Sequence, residues 1–182
     1  MIEAPRNDDH LNAICKVNLP GYGECAASGS MGSSGSSGSS CSLEQDRRAA
    51  VHDLETDSYF RPLRTDQGPY TLTLSVQDNR LVIEMENANG EPVPMLVLSL
   101  KPYKRLIKDY FMIVRSYDEA MREGKPSRLE AIDMGRRGLH NEGADLLIDR
   151  LADKVQMDHA TARRLFTLIC VLHESKAMIW RG

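Results

Sequence analysis

Between residues 69 and 100 the sequence alternates apolar and polar side chains three times over, in PYTLTLSV (69–76), RLVIEME (80–86) and VPMLVLSL (93–100). A period of two places every second side chain on the same face of a strand, so each run can bury one face and leave the other wet. The connections, DNR and NANGEP, are built from turn-forming residues. Neither is long enough for a crossover, and strands joined by so little chain lie side by side and antiparallel. The spacing therefore predicts a three-stranded antiparallel meander.

After Pro102 the period changes. Tyr103, Leu106, Ile107, Tyr110, Phe111, Val114 and Tyr117 recur at the i, i+3, i+4, i+7 interval of one helix face, which is expected to cover the sheet. Ser127, following Pro126, opens a second helix, and Gly143 is expected to end it before LLIDRLADKV. Asp158 begins a last helix, DHATARRLFTLICVLH, in which Leu165, Phe166 and every residue from Leu168 to Leu172 are apolar. A helix apolar nearly all round belongs at the centre of a fold. Strands followed by helices give the α+β class: an antiparallel meander of three to four strands packed against a C-terminal helical bundle.

The fourth strand would come from LNAICKVNL (11–19), where Leu11, Ala13, Cys15, Val17 and Leu19 share one side at an approximate period of two. It is separated from the body by AASGSMGSSGSSGSSCS (26–42), which has little to bury beyond Met31 and reads as a flexible Gly/Ser linker. The expected organisation is an N-terminal segment over 1–25 with an edge strand, a linker over 26–42, and one α+β domain over 43–182. Ser42 is placed to cap the first helix, with Glu44 and Asp46 in its first turn and Leu43, Ala50, Val51 and Leu54 on its apolar face.

Composition narrows the partners. In 182 residues, 41% apolar and 27% charged, a net charge of -3 gives no overall pull toward nucleic acid or anionic lipid. The opening MIEAPRNDD lacks the basic end and apolar run of a secretory signal, and no apolar stretch is long enough for a bilayer, so a cytoplasmic protein without a membrane partner is expected. Cys15, Cys25, Cys41 and Cys170 form no C-x-x-C pair, and reduced thiols are expected.

The chemistry concentrates in IDMGRRGLHNEGADLL (132–147). Each glycine inside a helix costs about 1 kcal/mol relative to alanine. Gly135 and Gly138, with Ala131 a turn earlier, are therefore expected to form a small-residue face that another helix approaches closely. Asp133, Arg136, Arg137, His140, Asn141 and Glu142 form the candidate polar cluster. They suit either a network tying helices together or an anion site in which guanidinium forks hold a phosphate or carboxylate.

A catalytic alternative uses His140 as general acid or base, oriented by Glu142 or Asp133, with Arg136 and Arg137 as an anion clamp. It has no evident nucleophile, since Cys170 sits in an apolar helix. His140, His173, Glu142 and Glu174 have no metal-site spacing, and neither metal nor cofactor is expected.

A secondary basic surface comprises Lys101, Lys104, Lys108, Arg163 and Arg164. The lysines fall along one side of a helix, as a nucleic-acid stripe or an ordinary solvated face. Arg163 and Arg164 lie in the first turn of the last helix, where the dipole disfavours cations. An acidic partner, or an anion shared with Arg136 and Arg137, would resolve that conflict.

From Leu43 to His173 the chain resembles the bacterial uncharacterised protein family 0262 (UPF0262), through GPYTLTLS, NRLVIE, KDYFMIVRSY, AIDMGRRGLHNEG and TARRLFTLICVLH, and again in the terminal WRG. It departs from the family in the Gly/Ser insertion and in ESKAMI, which separates His173 from Trp180. The resemblance implies a small bacterial cytoplasmic protein and carries over no activity, cofactor or partner. Together these features point to a non-enzymatic binding or regulatory module that recognises a partner protein or a phosphorylated ligand, with an enzyme and a nucleic-acid module as the alternatives.

Overall fold

A computed structural model of the protein describes residues 9–20, 39–64 and 68–179. In chain order its elements are β1 (Ile14–Asn18), α1 (Ser39–Thr56), β2 (Phe60–Pro62), β3 (Tyr70–Gln77), β4 (Arg80–Glu86), β5 (Pro92–Ser99), α2 (Lys104–Glu123), α3 (Pro126–Leu151), β6 (Val155–Met157) and α4 (His159–Ile179). The expected meander is present as β3, β4 and β5, antiparallel throughout. Asp78 and Asn79 turn β3 into β4 with positive φ at both positions, the conformation a two-residue hairpin needs and that Asp and Asn tolerate best among residues with side chains. Tyr70, Leu72, Leu74 and Val76 point inward from β3, and Leu81, Ile83 and Met85 from β4, as the alternation requires.

The first strand joins the sheet at its edge, in the order β1-β3-β4-β5, but it runs parallel to β3. The sheet is therefore mixed and not purely antiparallel. A parallel neighbour needs a crossover, and α1 lies within the connection between the two strands. A register shift between Ile14 and Lys16 also breaks the alternation expected of this strand, so Ile14 and Val17 are buried while Cys15 faces out. A second, two-stranded sheet of β2 and β6 had no sequence expectation, since each strand has only three residues.

Helix α1 begins at Ser39, ahead of the cap expected at Ser42. Ser39–Ser42, assigned by composition to the linker, are thus helical, and Glu44 and Asp46 fall beyond the first turn. Serine costs a helix only about 0.5 kcal/mol relative to alanine, too little to stop one that packs further along. Residues 26–38 of the linker lie outside the described residues.

Helix α2 does not cover the sheet as expected; its buried face, with Tyr103, Leu106, Ile107, Tyr110 and Val114, packs mainly on α3 and then α1. The sheet is covered instead by α1 against β1 and by α4 against β3. Helix α4 is the central element anticipated from its composition, with Leu165, Phe166, Leu168, Ile169, Cys170 and Leu172 all buried.

The glycines of α3 reverse the expectation. The helix runs through Gly143 without a break, and the site is one of close packing: a Cβ there would lie 2.5 Å from the ring of the fully buried Phe166. Around Gly135 and Gly138 a Cβ would meet nothing within 4 Å among the described residues, so neither is the close contact expected of it. Gly143→Ala should consequently lower stability by about 1–2 kcal/mol, overpacking outweighing the gain in helix propensity. Gly135→Ala and Gly138→Ala should each raise it by about 0.5–1 kcal/mol. Urea unfolding of the three variants separates the two environments, and equal shifts in all three would contradict the assignment.

Candidate functional site

Asp133, Arg136, Arg137 and His140 follow one another at helical three- and four-residue intervals along one side of α3. On α4, Ala160, Arg163, Arg164 and Thr167 do the same. Because Gly143 lets α3 seat on the Phe166 ring of α4, these two faces flank a common hollow, and Asp53 of α1 closes it. The resulting cleft has a volume of about 360 Å³. Four guanidiniums and two carboxylates line it.

Beneath the cleft, Asp46 of α1 joins three helices. The Tyr110 hydroxyl donates to Asp46 Oδ2 at 2.7 Å, and Arg136 Nη2 donates to Oδ1 at 2.6 Å. The Asp46 side chain is only 12% exposed, against 32% for Arg136. Burial first, and then the carboxylate beside it, push the Tyr110 phenol well above its ordinary range, so it remains a donor at any physiological pH.

The other arginines differ in how fully they are occupied. Arg137 Nε meets Asp133 Oδ2 at 3.0 Å one turn away, an exposed pair of the kind that contributes at most about 0.5 kcal/mol. Arg164 reaches Asp53 Oδ2 at 3.3 Å and donates to the Asp57 backbone carbonyl at 3.1 Å. The Arg163 guanidinium has no hydrogen bond or ion pair among the described residues.

His140 is 7% exposed and lies edge-on between the rings of Tyr110 and Phe166, with centroids at 5.8 and 6.0 Å. One of its ring nitrogens hydrogen-bonds the Arg136 backbone, while Nε2 has no partner among the described residues. Burial first, then the charges of Arg136 and Arg163, lower its pKa to about 4. At neutral pH it is an uncharged imidazole under four cations. Among the described residues no carboxylate orients it: Asp133 is paired with Arg137, and Glu142 faces away to Arg105 of α2.

Of the six residues of the predicted cluster, the fold brings Asp133, Arg136, Arg137 and His140 together and leaves Asn141 and Glu142 exposed elsewhere on α3. The secondary basic surface divides. Arg163 and Arg164 enter the cleft, whereas Lys101, Lys104 and Lys108 are exposed outside its lining. Asp46 and Asp53 were not anticipated as site residues. The available signal was that both sit on the helix that must pack beside the arginines.

Cys170 is fully buried, and burial raises its thiol pKa further. Among the described residues no group of three or more His, Cys, Asp or Glu could hold a metal ion, and no helix is long and apolar enough to cross a membrane.

The sequence model of the uncharacterised protein family UPF0262 matches residues 31–175. A UPF0262 protein of Rhizobium etli is 51% identical over 140 residues, which cover 77% of this chain and 85% of the relative. One from Rhodospirillum rubrum is 51% identical over 131 residues, covering 72% and 81%, and one from Azorhizobium caulinodans 51% over 142 residues, covering 77% and 84%. No solved structure matches the chain. A family match that takes in most of the sequence, with half of the aligned residues identical in these relatives, means that the chain belongs to the uncharacterised protein family UPF0262.

Proposed function

We propose that the protein is a cytoplasmic, non-enzymatic binding module that takes a phosphorylated ligand in the cleft between α1, α3 and α4. The observation that carries this reading is Arg163: its guanidinium has no partner among the described residues, yet it lines the cleft with three other arginines. Like charges at close range oppose a cation there, and a bound anion relieves that repulsion. Arginine forks match phosphate oxygens in pairs, and so favour phosphate over a simple ion. A phosphate carried by a partner protein offers the same chemistry.

The binding reading is preferred to catalysis because the cleft offers no poised acid. His140, with its pKa near 4, is a neutral imidazole and no acid at pH 7, and among the described residues no carboxylate orients it. Among the described residues the only hydroxyl in the lining, on Thr167, donates to the Arg163 backbone carbonyl at 3.1 Å. The nucleic-acid reading needs a continuous basic surface, and the three lysines do not reach the cleft.

Isothermal titration with pyrophosphate at low salt tests the reading. Binding is expected in the wild type, weakened at least tenfold in Arg163→Ala, in keeping with the loss of a charge-assisted hydrogen bond. Arg105→Ala, outside the cleft, should bind as the wild type does. Undetectable binding, or equal affinity in wild type and Arg163→Ala, would remove the cleft as the site.

A further inference from the structure

The two carboxylates on the cleft are what a site for a bare phosphate would not have. Asp53 and Asp133 repel an anion, yet each is about half exposed, 48% and 47%, at the edge of the hollow. Each meets its arginine through Oδ2, and among the described residues no hydrogen bond reaches Oδ1 of either. The cleft thus presents donors that suit a phosphate and, beside them, acceptor oxygens that ask for a donor on the same ligand.

We propose that the ligand is a hydroxylated phosphate monoester of sugar-phosphate size, with its phosphate on the arginines and its hydroxyls on Asp53 and Asp133. This rests on the anion-binding reading above and adds the chemistry of the ligand's carbon skeleton. A hydroxyl fits better than an ammonium group, because four guanidiniums against the two lining carboxylates leave the cleft positive, and it stays positive when Asp46 beneath is counted. A cation on the ligand would meet that charge. A hydroxyl donates to a carboxylate without adding charge, and bonds to an ionised acceptor are among the stronger ones. The volume of about 360 Å³ lies near the lower end of the range for small-molecule sites, roughly 300–1,000 Å³, and suits one sugar phosphate.

The test compares ribose 5-phosphate with ethyl phosphate, which has the same charged group and no hydroxyl, by calorimetry on the full chain. Wild type should bind ribose 5-phosphate roughly tenfold more tightly. Asp133→Ala and Asp53→Ala should each cut that preference to about threefold or less, while affinity for ethyl phosphate holds or rises as a repelling charge is removed. Circular dichroism checks that both variants fold. Equal wild-type affinity for the two compounds, with ethyl phosphate still dependent on Arg163, would overturn the hydroxyl assignment and leave the anion cleft standing. A preference that survives in both aspartate variants would overturn the role given to the carboxylates. Failure of both compounds to bind would defeat this inference together with the reading beneath it.

Discussion

Asp46→Ala is expected to lower the stability of the protein by about 3 kcal/mol, one of the two largest single effects anticipated. The residue accepts from Tyr110 of α2 and Arg136 of α3 while belonging to α1, so one carboxylate fixes three helices. Removing it leaves a phenol without its acceptor in the core and a guanidinium, two-thirds buried, without a counter-charge. Breaking a buried pair costs about 3–5 kcal/mol, and the partial exposure of Arg136 puts this one at the lower end. For a chain of this length that corresponds to a fall in Tm of roughly 6–12 °C. Tyr110→Phe, which removes one hydrogen bond and keeps the ring, should cost only about 1 kcal/mol. In the double variant Asp46→Ala/Arg136→Ala the losses should be far from additive, since the second substitution removes the charge that the first left stranded. Urea unfolding followed by circular dichroism measures the wild type, these three variants and Arg136→Ala, which completes the cycle. An Asp46→Ala loss within 0.5 kcal/mol, the usual range for a surface substitution, would show that the carboxylate does not hold the helices.

Why the sequence revealed some of this and not the rest follows from what periodicity encodes. Alternation in YTLTLSV and RLVIEME reports which side chains share a face, and the two short turns leave only one way to pair those strands. For β1 the same signal gave a strand but no direction, because a period of two is identical in parallel and antiparallel pairing. The amphipathic face of α2 likewise announced burial without naming its partner. It met α3, which follows it through Gly124 in a left-handed turn, before it could meet the sheet.

The site was half legible for the same reason. Asp133, Arg136, Arg137 and His140 fall together because helical spacing puts them there. Arg163 and Arg164 were expected in the first turn of the last helix, but α4 begins at His159 and places them in its second turn, so it is the cleft and not the helix dipole that sets them apart. Asn141 and Glu142, adjacent in sequence, point elsewhere because the helix turns about 100° per residue. Asp46 lies 90 positions from Arg136, and no local rule connects them. Gly143 shows the limit most plainly. Glycine in a helix suits both an end and a close contact, and only the place of Phe166 on another helix decides between them.

Acidification from pH 7 to pH 4 should cost the wild type about 3 kcal/mol through His140 alone, about 2 of it above pH 5. The folded protein holds this imidazole near pKa 4, chiefly by burial and then by the charges of Arg136 and Arg163, with Asp46 acting in the opposite sense, against an ordinary value of 6.5. Between those values the unfolded chain takes up a proton that the folded one refuses. Stability is therefore complete above pH 6.5 and falls as the pH drops toward 4. Glu44, held down to about 2 by its hydrogen bond from Arg47, adds a loss only as the pH falls from 4.5 toward 2, so its window lies below pH 5, where most of the His140 loss has already occurred. His173 is also lowered by burial, and its loss has the same sense as the pH falls below 6.5. His140→Phe isolates the residue in question, since a phenyl ring can pack between Tyr110 and Phe166 and cannot titrate. Urea unfolding at half-unit steps from pH 7 to pH 5 should give a clearly shallower decline in the variant, whatever its absolute stability. Parallel declines would mean that His140 is reachable by protons in the folded state. The cleft would then gain a fifth positive charge on mild acidification, and the neutral imidazole beneath four arginines would have to be abandoned.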